Sequence, residues 1–373
     1  MNVAVFQFIA SLLVIQFCYS QKLTPSFDIN LDDVPEIRWN GVLEHYKDSF
    51  TDFKQYVEDT LIYILNGNKI PTGVDKIESD VEYDLIVAAA EELLFPAYPK
   101  EYQDEIRGIS NVTGISIGTL ALQQGIYDIT AYCTSIVAED KSGAIYHARN
   151  LDYGWGYGLT TTKLQDFAFT VNFKREGKLV YSGSTIFGLV GFPTGCGFGR
   201  ICVTVNEHDY GSSLLENLKA LVYNKKPPVM FYIRDLIKNE TVDFEIAVNM
   251  TINHDSASPF YLIISGTEKG QGAVITRTDN KVENIWRLAD SKNWYIVQTN
   301  NDHWLPPNKS FSSYRRQEAM KHLNALGQEN LNYDSMLKIM NMYPTDNNGT
   351  VYSVVLNAGK PSFYKTYIPI IYK

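Results

Sequence analysis

The chain is poor in cysteine, with four in 373 residues, and that scarcity excludes a small disulfide scaffold. It has no excess of basic charge. Lys and Arg number 33 against 42 Asp and Glu, a formal net charge of −9, so the basic face needed by a nucleic-acid partner is missing. The six histidines show neither H-x-H nor H-E-x-x-H spacing, which leaves metal chemistry without support. The glycine cluster from Gly195 to Gly199 lacks the Lys-Ser/Thr of a phosphate loop and reads as a turn near a pocket. Nothing calls for a cofactor. Past the first twenty residues no apolar run reaches the roughly 20 residues of a membrane span, and neither a repeat nor a low-complexity linker divides the chain.

What is present begins at the amino terminus. Met1 to Ser20 carry no charged side chain, run apolar through Phe6, Ile9, Leu12, Leu13, Val14, Ile15 and Phe17, and end in Cys18-Tyr19-Ser20 before Gln21. This predicts a secretory signal over residues 1–20; the alternative, a membrane anchor, is disfavoured by its length. Asn-X-Ser/Thr sites at Asn111, Asn239, Asn249, Asn308 and Asn348 support the secretory pathway jointly, although each alone is weak. A lysosomal or secreted location follows, and the acidic composition is compatible with an acidic compartment. Without Cys18 the chain keeps Cys133, Cys196 and Cys202, an odd number in an oxidising compartment. Cys196 and Cys202 can bridge or be buried separately, and Cys133 is the candidate reactive thiol.

Two regimes follow. From Pro35 to Gln124 apolar residues recur at helical spacing: Trp39, Val42, Leu43 and Tyr46; Phe53, Tyr56, Val57 and Leu61; Leu85, Ile86, Ala89, Leu93 and Leu94. From Cys133 onward short β-branched and aromatic segments, such as Phe167 to Asn172, Leu179 to Ser182, Ile201 to Val205, Tyr261 to Ser265 and Ala273 to Thr276, read as strands. Helices return at Leu214 to Tyr223, Val229 to Lys238, Tyr314 to Leu326 and Tyr333 to Met340. The chain therefore reads as one α+β body with a helical front.

At the junction, Ser135 to Ala138 and Ala144 to Ala148 flank the turn Asp140-Lys-Ser-Gly143 and predict a hairpin. Pairing Glu139 with Ala144 sets Cys133 opposite Asn150 and brings Arg149 and Asp152 to the start of the first strand. A fixed guanidinium beside a thiol favours the thiolate, and a carboxylate can orient an amino group or the arginine. The residues alone equally allow a buried cysteine beside an Arg–Asp pair that staples the hairpin.

Cys133-Thr-Ser-Ile-Val-Ala-Glu-Asp140, followed by Tyr146-His-Ala-Arg-Asn-Leu-Asp-Tyr153, resembles the acid ceramidase and N-acylethanolamine-hydrolysing acid amidase family. The likeness extends through Ile29-Asn-Leu-Asp32, Val34-Pro-Glu-Ile-Arg-Trp39, Glu105-Ile-Arg-Gly108, Asn206-Glu207, Gly272 to Arg277, Thr299-Asn300 with Asp302, and Arg315-Arg316. It implies an αββα N-terminal-nucleophile hydrolase sandwich that cleaves itself between Tyr132 and Cys133. The products would be a helical α-subunit of residues 21–132 and a catalytic β-subunit of residues 133–373. By the same matching Cys133 is the nucleophile, Arg149 supports it and the substrate carbonyl, Asp152 holds the new amine, and Asn300 suits an oxyanion donor. Glu207 and Arg315 are further polar positions, tied to self-cleavage and to ordering the pocket. The implied partner is a lipid amide, either an N-acylethanolamine or a ceramide, and a peripheral membrane or lipid-activator contact is compatible. Asn301 stands where relatives usually have Tyr, and the early and C-terminal cysteines of acid ceramidases are missing, which tilts the reading toward the N-acylethanolamine branch.

Two competitors remain. Gly114-Ile-Ser116-Ile-Gly118 fits the G-x-S-x-G nucleophile elbow, but Ser110 to Thr113 before it read as a turn rather than a strand, and Ser116 reads as the N-cap of a helix over Leu120 to Gln124. A secreted lipid-binding relative without turnover would share the apolar site, to which Trp155 and Tyr157 are suited.

Overall fold

The computed structural model describes residues 21–65, 83–130, 132–153, 161–208, 226, 228–255, 258–278 and 281–369. The expected signal, the helix expected at Leu214 to Tyr223, and Trp155 and Tyr157 lie outside the described residues. In chain order the front half contains β1 (Lys22–Leu23), β2 (Ser26–Asn30), α1 (Asn40–Tyr46), α2 (Phe50–Leu65), α3 (Lys100–Thr113) and α4 (Ile117–Thr130). There follow β3 (Tyr132–Glu139), β4 (Ile145–Asp152), α5 (Thr161–Asp166), β5 (Ala168–Arg175), β6 (Lys178–Ile186), β7 (Thr194–Gly197) and β8 (Ile201–Glu207). The last part holds α6 (Val229–Lys238), α7 (Phe244–Ile252), β9 (Phe260–Ser265), β10 (Gly272–Arg277), β11 (Val282–Arg287), β12 (Tyr295–Gln298), α8 (Phe311–Leu326), α9 (Tyr333–Met340), β13 (Thr350–Leu356) and β14 (Lys365–Ile368).

The strands form two sheets, in the orders β1-β14-β13-β4-β3-β12 and β11-β10-β9-β8-β7-β6-β5-β2. All neighbours run antiparallel except β2, which lies parallel to β5. Alternation along β3 and β4 builds the layers, because successive side chains leave a strand on opposite faces. Ile136, Ala138, Tyr146 and Ala148 meet Ala319, Leu323, Met336 and Ile339 of α8 and α9. Val137 and Ile145 meet Tyr261, Ile263 and Val274 of the facing sheet. On the far side Trp39, Tyr102, Ile106, Ile233 and Leu236 cover Phe173 and Tyr181 of the second sheet. Both faces of the central strands are thus buried, and each large apolar side chain contributes about 1.5–3 kcal/mol. Helices α7, α8 and α9 begin where a side chain accepts an orphan N–H group: Asp243 accepts from Ile246 N, Ser310 from Ser313 N, and Asn332 with Ser335 forms a capping box.

Several sequence expectations need correction. The β3–β4 hairpin pairs Glu139 with Ile145 and Cys133 with Leu151, one residue away from the expected register, because Asp140 N bonds to Ala144 O and keeps Ala144 inside the loop. The front is not only helical, since β1 and β2 join opposite sheets. Ser110 to Thr113 form the last turn of α3, closed by Gly114 at φ +70°. Ser116 accepts from Thr119 N at 3.1 Å and caps a helix that runs from Ile117 to Thr130; with a helix on both sides and no strand before it, it is not a nucleophile elbow. Of the Gly195 to Gly199 cluster, Gly195 to Gly197 lie in strand β7 and the turn is confined to Phe198 to Arg200, with Gly199 at φ +77°; Cys196 and Cys202, opposite each other in register, are joined by a disulfide.

Candidate active site

The site lies where β3 begins, and the hairpin register decides what can meet there. A slip of one residue turns every side chain of a strand to its other face. With Ser135 opposite Arg149, the side chains of Cys133, Ser135, Arg149 and Leu151 share the face toward the second sheet, while Asp152, opposite Tyr132, belongs to the other. The pairing expected from the turn sequence would have placed Arg149 and Cys133 on opposite faces.

Cys133 is fully buried, and Arg149 Nη2 donates to its Sγ at 2.9 Å. The same guanidinium donates to Pro193 O at 2.7 Å, Thr194 Oγ1 at 2.5 Å and Val205 O at 3.0 Å. Strands β7 and β8, tied by the disulfide, therefore hold the arginine from the facing sheet. Such bonds to a charged group contribute about 1.5–3 kcal/mol each, enough to keep a long side chain in one rotamer against its entropy.

The backbone of Cys133 is gripped from the other side. Its N–H donates to Asn300 Oδ1 at 2.9 Å, and its carbonyl accepts from Arg315 Nη1 at 2.7 Å. Arg315, on α8, also donates to Asn300 Oδ1 at 2.7 Å, Thr134 Oγ1 at 2.9 Å and Asp152 Oδ2 at 3.3 Å. Asn300 follows β12, and its Nδ2 donates to the carbonyl of Glu207 at the end of β8. The six residues singled out from the sequence thus converge, with Glu207 joining through its backbone. Asn301 stitches this loop to the start of α8 through Ser312 and Ser313.

Burial pushes the Asp152 carboxyl up, while Arg315, Thr350 and Asn347 pull it back toward the charged form. The same burial lowers Arg315, and Asp152 opposes that. His147 is held to about 3, chiefly by burial and then by Arg149; it stays neutral and bridges the sheets through Ser265 and Thr204. Among the described residues no group of His, Cys, Asp and Glu is placed to hold a metal ion.

Sequence reasoning missed the residues that hold the site: Thr194 and the carbonyls around it for Arg149, and Asn347 with Thr350 for Asp152. In the sequence Thr350 stands out only as the end of the Asn348-Gly-Thr acceptor site. All five acceptor asparagines are exposed.

A family model for linear amide C–N hydrolases, the choloylglycine hydrolase family, matches residues 133–335, and one for the beta subunit of N-acylethanolamine-hydrolyzing acid amidase matches residues 24–82. The chain belongs to the choloylglycine hydrolase family of linear amide C–N hydrolases, and it is an amidohydrolase of the αββα N-terminal-nucleophile class. Within that class it is 34% identical over 345 residues to the N-acylethanolamine-hydrolyzing acid amidase of Rattus norvegicus, covering 92% of this chain and 88% of that protein. It is 31% identical over 355 residues to the acid ceramidase of Homo sapiens, covering 92% and 86%. The solved Caenorhabditis elegans N-acylethanolamine-hydrolyzing acid amidase ortholog shares 33% identity at a TM-score of 0.56, covering 64% of this chain and all of that one.

Proposed function

We propose that the chain is the precursor of a cysteine amidase that cleaves itself before Cys133 and then hydrolyses a fatty-acid amide, with N-acylethanolamines as first substrate and ceramides as second. The observation that carries this reading is the grip on Cys133: a guanidinium 2.9 Å from its sulfur, with its backbone N–H and carbonyl both held by side chains. The beginning of the matched family segment at residue 133 supports the same boundary. The higher identity to the amidase than to the ceramidase supports the order of substrates.

In the joined chain the Cys133 nitrogen is an amide and cannot serve as a base. In self-cleavage the sulfur attacks the Tyr132 carbonyl carbon, the Tyr132–Cys133 C–N bond breaks, and the nitrogen takes up the thiol proton. Water then hydrolyses the thioester, leaving Tyr132 as a carboxylate and Cys133 with a free α-amine, whose reference pKa is about 7.7–8. In acid that amine is an ammonium, so it and Arg149 place two positive charges around the sulfur. The thiolate attacks the lipid amide carbon, Asn300 and Arg149 stabilise the oxyanion, the amide C–N bond breaks, and the amine departs with a proton taken from the Cys133 ammonium. Water then releases the fatty acid from the acyl-thioester. Asp152 orients Arg315, which holds the Cys133 carbonyl and, through Asn300, its amino end, and Glu207 fixes Asn300. No helix among the described residues is long and apolar enough to cross a membrane; entry into the secretory pathway, delivery to a lysosome or the exterior, and a lipid-activator contact belong to the same proposal.

The test is to express the precursor and its Cys133→Ala variant, weigh the products, and assay a fatty N-acylethanolamide and a ceramide at acid and neutral pH. Wild type should yield a subunit beginning at Cys133 and release fatty acid, and the variant should do neither. Turnover by the variant, or by a preparation still joined between residues 132 and 133, would overturn the mechanism. Ser116→Ala should leave activity intact.

A further inference from the structure

The segment between α9 and β13, residues 341–349, lies outside every motif that marks the site, yet with Thr350 it controls Asp152. That carboxylate is fully buried, and both of its oxygens are engaged. Thr350 Oγ1 donates to Oδ1 at 2.7 Å; Asn347 Nδ2 donates to Oδ2 at 3.1 Å, beside Arg315 Nη1. The Thr350 oxygen also accepts from Asn347 N at 3.0 Å, so the hydroxyl that donates to Asp152 is itself held by the segment.

The segment is itself held to β4. Asn150 Nδ2 donates to Met340 O and Thr345 O at 2.7 and 2.9 Å, Tyr153 N bonds to Gly349 O at 2.7 Å, and Gly349 N bonds to Asn347 Oδ1 at 2.8 Å. Asn150 and Tyr153 flank Asp152 along the strand, so the clamp and the carboxylate it holds share one backbone. We propose that Asn347 and Thr350 are positioning residues that fix the Asp152 carboxylate and, through Arg315, both the carbonyl of Cys133 and the Asn300 side chain that holds its nitrogen, for amide hydrolysis. The proposal rests on the role given to Asp152 in the cysteine mechanism. The charged groups acting on that carboxylate are Arg315, Arg149 and Asp346; the clamp adds the two uncharged donors.

Thr350→Val keeps the shape and removes the hydroxyl, but it also destroys the Asn348 acceptor site. Asn348→Gln therefore serves as the glycan control, and Thr350→Ser keeps both hydroxyl and acceptor site. The full precursor of each, with Asn347→Ala and Asp152→Asn, is expressed. Cleaved fraction, thermal midpoint, and kcat and KM across pH with a fatty N-acylethanolamide are then measured on the cleaved fraction. Thr350→Val and Asn347→Ala should lose at least about tenfold in kcat, one unit of carboxylate pKa on the scale of proton linkage, with KM nearly unchanged. The acidic limb of their kcat profiles should move to higher pH, because the carboxylate has lost a donor. Thr350→Ser and Asn348→Gln should match wild type. Cleaved Thr350→Val with the wild-type kcat and acidic limb, beside an inactive Asp152→Asn, overturns the proposal, even if that protein melts earlier. An Asn348→Gln variant as impaired as Thr350→Val overturns it too, by assigning the loss to the glycan. An Asp152→Asn enzyme with wild-type kinetics instead refutes the underlying role of Asp152.

Discussion

Of the three arginines that are completely buried among the described residues, Arg149, Arg234 and Arg315, the first two are held in opposite ways. Arg234, on α6, makes a bidentate pair with Glu105 of α3 at 2.5 and 2.7 Å and lies over the rings of Tyr102 and Phe173. Glu105 accepts from Trp39 Nε1 and Arg38 as well. Carboxylate and guanidinium neutralise each other, and the geometry is the strong fork-to-fork kind. Arg149 instead donates to two backbone carbonyls, a threonine hydroxyl and the sulfur of Cys133. A guanidinium held by neutral dipoles retains its field for a developing anion; one clasped by a carboxylate has little left to offer. The first arrangement joins the front helix α3 to α6, and the second serves chemistry in the mechanism proposed above.

The sharpest way to break that contrast is Glu105→Gln. It leaves Arg234 buried without its countercharge, a change that costs about 3–5 kcal/mol, read as a lower denaturant midpoint in urea. The fraction that remains folded should keep its kcat, since Glu105 touches nothing around Cys133. A loss of kcat without loss of stability would show that the two networks are not separate.

Asn300→Ala should reverse the pattern. If Asn300 is the oxyanion donor proposed above, its deletion should cost about 10² to 10³ in kcat, with less change in the urea midpoint than Glu105→Gln produces. The measurement is steady-state turnover of the cleaved enzyme alongside its unfolding curve. A drop confined to KM would remove Asn300 from the transition state and leave it as a support for Glu207 and Cys133.

The sequence made the two networks about equally visible but did not distinguish their purposes. Glu105-Ile-Arg-Gly108 and Val34 to Trp39 stood out beside Cys133 and Arg149 as motifs of one family. Only the fold separates them: Gly108 is there because any Cβ would strike the carbonyl of Glu36, and Glu105 reaches Arg234 across 129 positions. The strands after Cys133 were legible because both of their faces are buried and they read as β-branched and aromatic runs. Register was not, because Asp140-Lys-Ser-Gly does not itself say whether Ala144 belongs to the loop or the ladder, and that single residue decides which face Arg149 occupies. The holders of the site were not legible either. Pro193 and Val205 act through carbonyls that every residue possesses, and Thr350 through a hydroxyl whose partner is 198 positions away.

A milder variant refines the structural side. Glu101 pairs with Arg38 and Lys238 at the rim of the same network, but it is 28% exposed where Glu105 is closed off. Although burial opposes it, Lys238, Arg234 and Arg38 together hold its carboxyl at about 2, so its contribution is present above the ordinary carboxylate range and fades as pH falls through 2. Water screens such a pair, and Glu101→Gln should cost only about 0–1 kcal/mol near neutral pH. A loss as large as that of Glu105→Gln would mean that the network acts as one unit and that burial does not decide between its members.

The smallest effect, and the one that bears on working pH, belongs to Asp346 in the segment that holds Asp152. Its carboxyl is pushed up to about 7, first by burial and then by the charge of Asp152, with Thr350 pulling the other way. A carboxyl raised in the folded state favours folding while it is protonated. Its contribution is complete below the ordinary carboxylate pKa and is lost as pH rises toward and through 7. Asp346→Asn keeps the neutral form at every pH, so its thermal midpoint should equal that of wild type near pH 4 and exceed it at pH 7.5. His147, buried and held to about 3, tilts the other way, since its contribution is complete above the ordinary imidazole pKa and shrinks as pH falls toward 3. The difference between wild type and Asp346→Asn isolates the aspartate from that opposing slope. A difference that stays constant from pH 4 to 7.5 would mean that Asp346 does not change its charge there, and that the segment holds Asp152 equally well in acid and at neutrality.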